Sequence, residues 1–178
     1  VPAGLVVEAT SGLGALVDFG ATATDVSAVT IAYSQAPRTV FAIGDTVVTV
    51  TATDAHGNGS SGTFTVSVRD TTAPVLVVPA GVVAEATSSA GAAVAYGPAS
   101  ATDGVSAVTI TYSQAPGTVF ALGDTVVTVT ATDAHANSTT SSFTVTVRDT
   151  TAPVLAVPAD ATAEALSSPG AAVAYAAT

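Results

Sequence analysis

Acidic side chains recur in this chain where several of them could share one cation. Asp and Glu number 13 against three Lys and Arg, which gives a formal net charge of −10. Carboxylate and amide oxygens are the hard ligands that calcium prefers. We therefore predict a calcium site on Asp70, Asp103, Asp133 and Asn137, with Asp149 in the Asp70 role for the segment that follows. The alternative is that these Asp residues are turn residues that keep the chain soluble.

The histidines and asparagines offer other chemistry, but they do not point to catalysis. His56 and His135 occupy equivalent places in a repeated DAH sequence without a distinct nucleophile or metal partner, so we expect loop histidines and no enzyme. Asn58 and Asn137 are the only asparagines, and each begins an N-x-[S/T] sequon that could carry a glycan in a eukaryotic or archaeal secretory pathway. We favour the alternative, in which both are turn residues.

Glutamate recurs at one position of the predicted first strand, as Glu8, Glu85 and Glu164. A charge on an exposed strand edge blocks unwanted pairing with other sheets, and this is the interpretation that we prefer. The alternative is that these carboxylates reach an ion at the joint between domains.

The charge balance excludes two classes of partner. Binding to nucleic acid needs clustered cations that neutralise phosphates, and this chain has only Arg38, Arg69 and Arg148. An acidic membrane surface is disfavoured for the same reason. No apolar run approaches the roughly 18 residues that insertion as a helix requires.

The acidic positions belong to a repeated unit. The sequence DTTAPVL runs over residues 70–76 and again over residues 149–155, and residues 26–78 match residues 105–157 at 42 of 53 positions. The offset of 79 residues is long enough for a small domain with its own core. We predict three domains: a first repeat over 1–70 that lacks its first strand segment, a second repeat over 71–149, and the first two strands of a third over 150–178.

Each repeat reads as a set of β-strands. Residues 125–132, 143–147 and 108–112 alternate apolar residues with Thr, which is the period of a strand that is buried on one face. The side chains predicted to face inward are Val108, Ile110, Tyr112, Val127, Val129, Ala131, Phe143, Val145 and Val147. The predicted strands of one repeat are 74–79 with 82–87, 92–96, 108–113, 118–121, 125–133 and 142–149, and an acidic loop covers 98–107.

Short strands separated by Gly, Pro, Asp and Ser clusters, without helical periodicity, indicate an all-β fold of tandem antiparallel sandwiches. About seven strands per repeat is the number of an immunoglobulin-like sandwich. DTTAP then joins the last strand of one sandwich to the first of the next, and Pro74 keeps this joint extended and semi-rigid. We expect an end-to-end rod in which Asp70 lies beside the loops that carry Asp103, Asp133 and Asn137, so that calcium would stiffen the joint.

The chain resembles the hyalin repeat, or HYR domain. The resemblance is carried by DTTAP, the ATD sequence at 101–103, FALGDTVVTVTATDAHAN from Phe120 and the closing FTVTVRD. It implies an immunoglobulin-like fold, an extracellular or cell-surface location and a role in adhesion or scaffolding. Animal members carry paired cysteines and this chain has none, so it looks like the bacterial form found in long surface arrays.

These observations predict a structural extracellular protein that forms a stalk, fibre or filament segment. Its partners would be copies of itself or further repeats of the same chain. The alternative is an adhesin that recognises a glycan or a surface protein through its loops. The chain has no methionine, so we expect a segment of a longer product. The partial third repeat would be completed by that longer chain or by strands of a neighbour.

Overall fold

The computed structural model describes residues 1–165 and 168–174. Two units separate in it, Val1–Arg148 and Asp149–Thr178. All the regular elements of the described residues are β-strands, which confirms the all-β prediction. A membrane-spanning helix is not found in that part of the chain.

The first repeat contains six strands in one four-stranded and one two-stranded sheet. The order in the larger sheet is β1-β6-β5-β3, and β2 pairs with β4. β1 runs parallel to β6, and the other pairs are antiparallel. The strands are β1 (Leu5–Glu8), β2 (Ala15–Val17), β3 (Val29–Tyr33), β4 (Thr39–Phe41), β5 (Gly44–Asp54) and β6 (Gly59–Arg69).

The second repeat has the same plan with one more strand pair. The order in its large sheet is β11-β13-β14-β8, with β8 parallel to β14, while β12 pairs with β9 and β10 with β7. The strands are β7 (Val75–Val77), β8 (Val82–Glu85), β9 (Ala92–Ala93), β10 (Ser100–Thr102), β11 (Val108–Tyr112), β12 (Val119–Phe120), β13 (Gly123–Asp133) and β14 (Ser138–Arg148). The added pair, β7 with β10, begins directly after the DTTAP joint.

Each repeat packs its own core between the large sheet and the smaller strand pair. In the second repeat Val127, Val145 and Val147 of the large sheet meet Ala92 and Phe120 of the small one. The Thr residues that alternate with these Val residues point outward, because successive side chains of a strand face opposite sides. Aromatic rings close the core edge to face, as Tyr96 does on Phe143 with ring centroids 4.8 Å apart. These paired sheets are the predicted sandwiches.

The structure corrects several strand predictions. The acidic loop predicted over 98–107 contains β10, because Ser100–Thr102 pairs with β7. Of the strand predicted over 92–96, only Ala92–Ala93 forms a regular strand, and the last strand begins at Ser138 rather than at Ser142. The inward side chains of β13 and β14 are buried as predicted. Those of β11 are only half-buried because β11 is an edge strand.

The two strands predicted for a third repeat are not formed in residues 149–165 and 168–174. The matching sequence of the second repeat forms β7, β8 and β9 by pairing with β10, β14 and β12. Leu166, Ser167 and residues 175–178, which the prediction also covered, lie outside the described residues.

Candidate functional site at the joint between the repeats

The joint between the two repeats is the segment Asp70–Pro74, which follows β6 and leads into β7. Ala73 precedes a proline and is therefore held in extended geometry. Pro74 itself is fully buried. A buried proline fixes both the direction and the depth at which the chain enters the second repeat.

Glu8, at the end of β1, holds the joint from the first repeat. Its carboxylate accepts hydrogen bonds from the Thr71 backbone N–H at 2.8 Å, the Thr71 hydroxyl at 2.7 Å and the Thr72 hydroxyl at 2.9 Å. These bonds, led by the one from the Thr71 backbone, lower the pKa of Glu8. β1 is an edge strand. The preferred interpretation, in which the charge of Glu8 blocks unwanted pairing at that edge, did not include these hydrogen bonds to the joint.

The loop Asp133–Asn137 holds the joint from the second repeat. The side chain of Asp70 is fully buried, and its Oδ2 lies 2.9 Å from Nδ1 of His135. Asn137 donates from Nδ2 to the Asp70 backbone carbonyl at 3.1 Å, and the Thr139 hydroxyl donates to the Pro74 carbonyl at 2.6 Å. The joint is thus bonded to side chains of both repeats.

Asp133 shapes this loop. Its Oδ1 accepts the backbone N–H groups of His135 and Asn137, both at 2.8 Å, and its Oδ2 accepts Nδ2 of Asn137 at 2.8 Å. Burial raises the pKa of Asp133, but the hydrogen bonds from Asn137 and His135 outweigh it, and the net pKa is lowered. An Asp that caps its own turn in this way is the reason that the sequence DAHAN forms a tight loop.

Three of the five residues predicted as calcium ligands come together at the joint, namely Asp70, Asp133 and Asn137. The ligating atoms of Asp70, Asp133 and His135 all lie within 4.8 Å of one another, a group that does not include Asp103. Instead, Oδ1 of Asp103 accepts the backbone N–H groups of Val105 and Ser106 at 2.8 Å.

Asp149 lies in the other unit, where its Oδ1 accepts the Thr151 N–H at 3.2 Å. His135 was expected to be a loop residue, and it lies in the loop after β13, but its contact with Asp70 was not predicted. The sequence feature that could have indicated this contact is the presence of both DTTAP and DAH in each full repeat.

The donor set of the joint suits hydrogen bonding better than calcium. Calcium takes six to eight oxygen ligands, whereas this group offers two carboxylates and an imidazole nitrogen. Both carboxylate oxygens of Asp133 already accept N–H groups, and Asn137 turns its amide nitrogen toward the joint. These bonds occupy part of the acceptor capacity that an ion would use.

Comparison with known proteins identifies the repeats. The HYR domain model matches residues 13–68 and 69–147. Hyalin from Lytechinus variegatus is 40% identical over 146 residues, which cover 77% of this chain and 28% of that protein. Hyalin from Strongylocentrotus purpuratus is 38% identical over 146 residues, covering 77% and 12%. This chain therefore spans less than a third of either hyalin.

Solved structures give more distant matches. The fibronectin(III)-like modules of Clostridium thermocellum CbhA match with a TM-score of 0.35 and 20% identity, over 83% of this chain and 90% of that one. Drosophila N-cadherin EC1-4 matches with a TM-score of 0.35 and 14% identity, over 83% and 48%.

Proposed function

Because this chain belongs to the HYR domain family, we propose that it is a non-enzymatic structural segment of an extracellular repeat protein. Its sandwiches act as spacers in a stalk, fibre or filament, and its joints transmit orientation from one repeat to the next. The bacterial-type assignment is part of this proposal and depends only on the absence of cysteine.

The observation that carries the proposal is the double attachment of the joint. Glu8 of the first repeat accepts three hydrogen bonds from Thr71 and Thr72. Two residues further on, Pro74 is buried in the second repeat and its carbonyl accepts the Thr139 hydroxyl. A linker of five residues that is bonded at both ends has little freedom to swivel, which suits a spacer.

A second contact between the repeats supports the same conclusion. The side chain of Val105, from the second repeat, packs against the core of the first. A Cβ at Gly12 of the first repeat would meet the Val105 carbonyl oxygen at 2.9 Å, so the two surfaces approach as closely as a glycine allows.

Electron spin resonance distance measurement tests the proposal. The chain has no cysteine, so Thr49→Cys and Thr128→Cys, at equivalent exposed positions of the two repeats, give one spin label in each. We expect a single narrow distance distribution that Glu8→Gln broadens. Asp18→Asn, which makes the same charge change at an exposed ion pair with Arg38, should leave it narrow. A broad distribution in the parent chain would refute the spacer function.

Calcium at this joint stays a proposal, on Asp70, Asp103, Asp133 and Asn137, with Asp149 at the next joint. The carboxylates at the joint support it, but the N–H donors that they accept oppose it. The adhesin alternative has less support, because the loop Asp133–Asn137 that would recognise a glycan or surface protein is bonded to the joint.

A further inference from the structure

Two buried carboxylates and an imidazole meet where the joint contacts the loop Asp133–Asn137. The side chain of Asp70 has no exposed surface, and Asp133 is only 7% exposed. One ligand atom from each of these two residues and one from His135 lie within 4.8 Å of one another. Among residues 1–165 and 168–174, no other three Asp, Glu or His side chains come as close together. The group therefore joins the end of the first repeat to a loop of the second.

This group is short of positive charge. Within the described residues, the one cationic partner of Asp70 at ion-pair distance is His135, whose Nδ1 lies 2.9 Å from Oδ2 of Asp70. Arg69, the neighbour of Asp70 in the chain, is paired with Asp45 at 2.6 Å instead. Even a protonated His135 leaves two carboxylates facing one cation. Buried charges are costly unless they are paired or coordinate a metal, so the group favours a divalent cation.

The ligand types select the class of ion. Calcium and magnesium take oxygen ligands, whereas an imidazole nitrogen together with carboxylates suits zinc and other transition ions. A zinc site that is not closed by protein has three protein ligands and a water in the fourth position. Asp70, Asp133 and His135 supply three such ligands. The side chain of His135 is 31% exposed, so water reaches this side of the group.

The distances fit such an ion after a small adjustment. Ligand atoms that lie about 2.0–2.1 Å from a tetrahedral zinc are about 3.3 Å from one another. The contact between Nδ1 of His135 and Oδ2 of Asp70 is 2.9 Å, so it has to open by only about 0.4 Å. The widest separation in the group is at most 4.8 Å, which requires a closure of up to about 1.5 Å that the three side chains share.

Each carboxylate keeps acceptor capacity for an ion. An ionised carboxylate has about four lone-pair sites. Asp133 accepts three N–H groups, which come from His135 and Asn137, so one site is left. Asp70 accepts the Thr72 N–H on Oδ1 at 3.3 Å, so its Oδ2 is left for the ion. Hydrogen bonds of this kind orient the carboxylates that ligate metals.

We propose that Oδ2 of Asp70, one oxygen of Asp133 and Nδ1 of His135 bind zinc or a transition ion of similar chemistry. The ion would replace the direct contact between His135 and Asp70 and would link the joint to the loop of the second repeat. The site differs from the calcium proposal, because it uses a nitrogen ligand and does not include Asp103. It does not depend on the spacer function.

Calorimetric titration of the metal-free chain with zinc chloride, without an affinity tag, tests the site. We expect one zinc ion per chain, and binding at least tenfold weaker in His135→Gln and in Asp70→Asn. His56→Gln is the matched control and should bind zinc as the parent does, since His56 stands in the equivalent DAH sequence but belongs to no such group in the described part of the chain. Circular dichroism melting in EDTA checks that each variant is folded.

Spectroscopy and ion selectivity complete the test. Cobalt(II), bound in place of zinc, should give the strong visible absorption of a four-coordinate ion, which zinc displaces and His135→Gln abolishes. Zinc should also raise the melting temperature of the parent but not of His135→Gln, because the ion binds only the folded chain. The absence of zinc binding, zinc affinity that His135→Gln leaves unchanged, or equal affinity for calcium would each overturn the proposal. A failure of the spacer function would appear separately, in the spin-label distances of the metal-free chain.

Discussion

Asn137 is the residue whose removal best isolates the contribution of the joint. Its Nδ2 donates to Oδ2 of Asp133 at 2.8 Å and to the backbone carbonyl of Asp70 at 3.1 Å. A protein hydrogen bond contributes about 0.5–1.5 kcal/mol net. Asn137→Ala therefore should cost about 1–3 kcal/mol in the local stability of the joint and its loop.

The first repeat supplies the matched control. Asn58 makes the same bond within its loop, to Oδ2 of Asp54 at 2.9 Å, but it is exposed, and within the described residues its side chain does not bond to a joint segment. Asn58→Ala should cost less than about 1 kcal/mol. The difference between the two variants measures the bond to the joint.

Native-state hydrogen exchange, read on peptides of the joint, gives this local stability. The amides of Thr71 and Thr72, which bond to Glu8 and Asp70, report on it directly. In Asn137→Ala they should exchange about 5- to 150-fold faster, and in Asn58→Ala at the parent rate. Equal rates in the two variants would refute the reasoning that the loop holds the joint.

Four further predictions follow from the joint and its loops. Ala136 has a φ of 70°, and its counterpart Gly57 a φ of 86°, so Ala136→Gly should stabilise the second repeat by about 0.5–1 kcal/mol and Gly57→Ala should destabilise the first, as measured by urea unfolding. Gly12→Ala should push on the Val105 carbonyl and broaden the spin-label distances, whereas Gly20→Ala, in open space, should not. Hydrogen bonds lower the folded-state pKa of the carboxyls of Glu8, Asp25, Asp45 and Asp54 below their ordinary values of 3.8–4.5. The stability that these carboxylates contribute is therefore present above about pH 4.5 and is lost as the pH falls through the lowered pKa values. The melting temperature of the chain should drop over that acidic range. Melting in calcium and in EDTA decides the calcium proposal, because an ion bound only by the folded chain must raise the melting temperature; equal temperatures would remove it.

The sequence predicted the strands best where apolar residues alternate with Thr and the apolar side chains form the core. Val127 and Val129 alternate with Thr in a long strand, and this local signal predicts both the strand and its buried face. β10 was missed because Ser100–Thr102 has no apolar period, and its strand exists only through pairing with β7. The parallel pairing of β1 with β6 joins segments about 60 residues apart, which no local pattern specifies.

The sequence predicted the position of the joint but not all of its contacts. The placement of a linker beside the loops of the next sandwich was enough to bring Asp70 near Asp133 and Asn137. The direction of each side chain was not predictable, because it depends on which hydrogen-bond donors the folded backbone places near each carboxylate. Asp103 caps its own turn, and His135 takes the remaining oxygen of Asp70.

The parallel ladder between the first and last strands of a repeat has a mechanical consequence. Leu5–Glu8 runs alongside Val66–Arg69 in the same direction. Tension that pulls the start of β1 and the end of β6 apart therefore acts along the ladder and shears its hydrogen bonds together. An antiparallel hairpin pulled at its two open ends would instead lose its bonds one at a time. We therefore expect each repeat to resist stretching cooperatively, with the load carried by the β1–β6 ladder in the first repeat and by the β8–β14 ladder in the second.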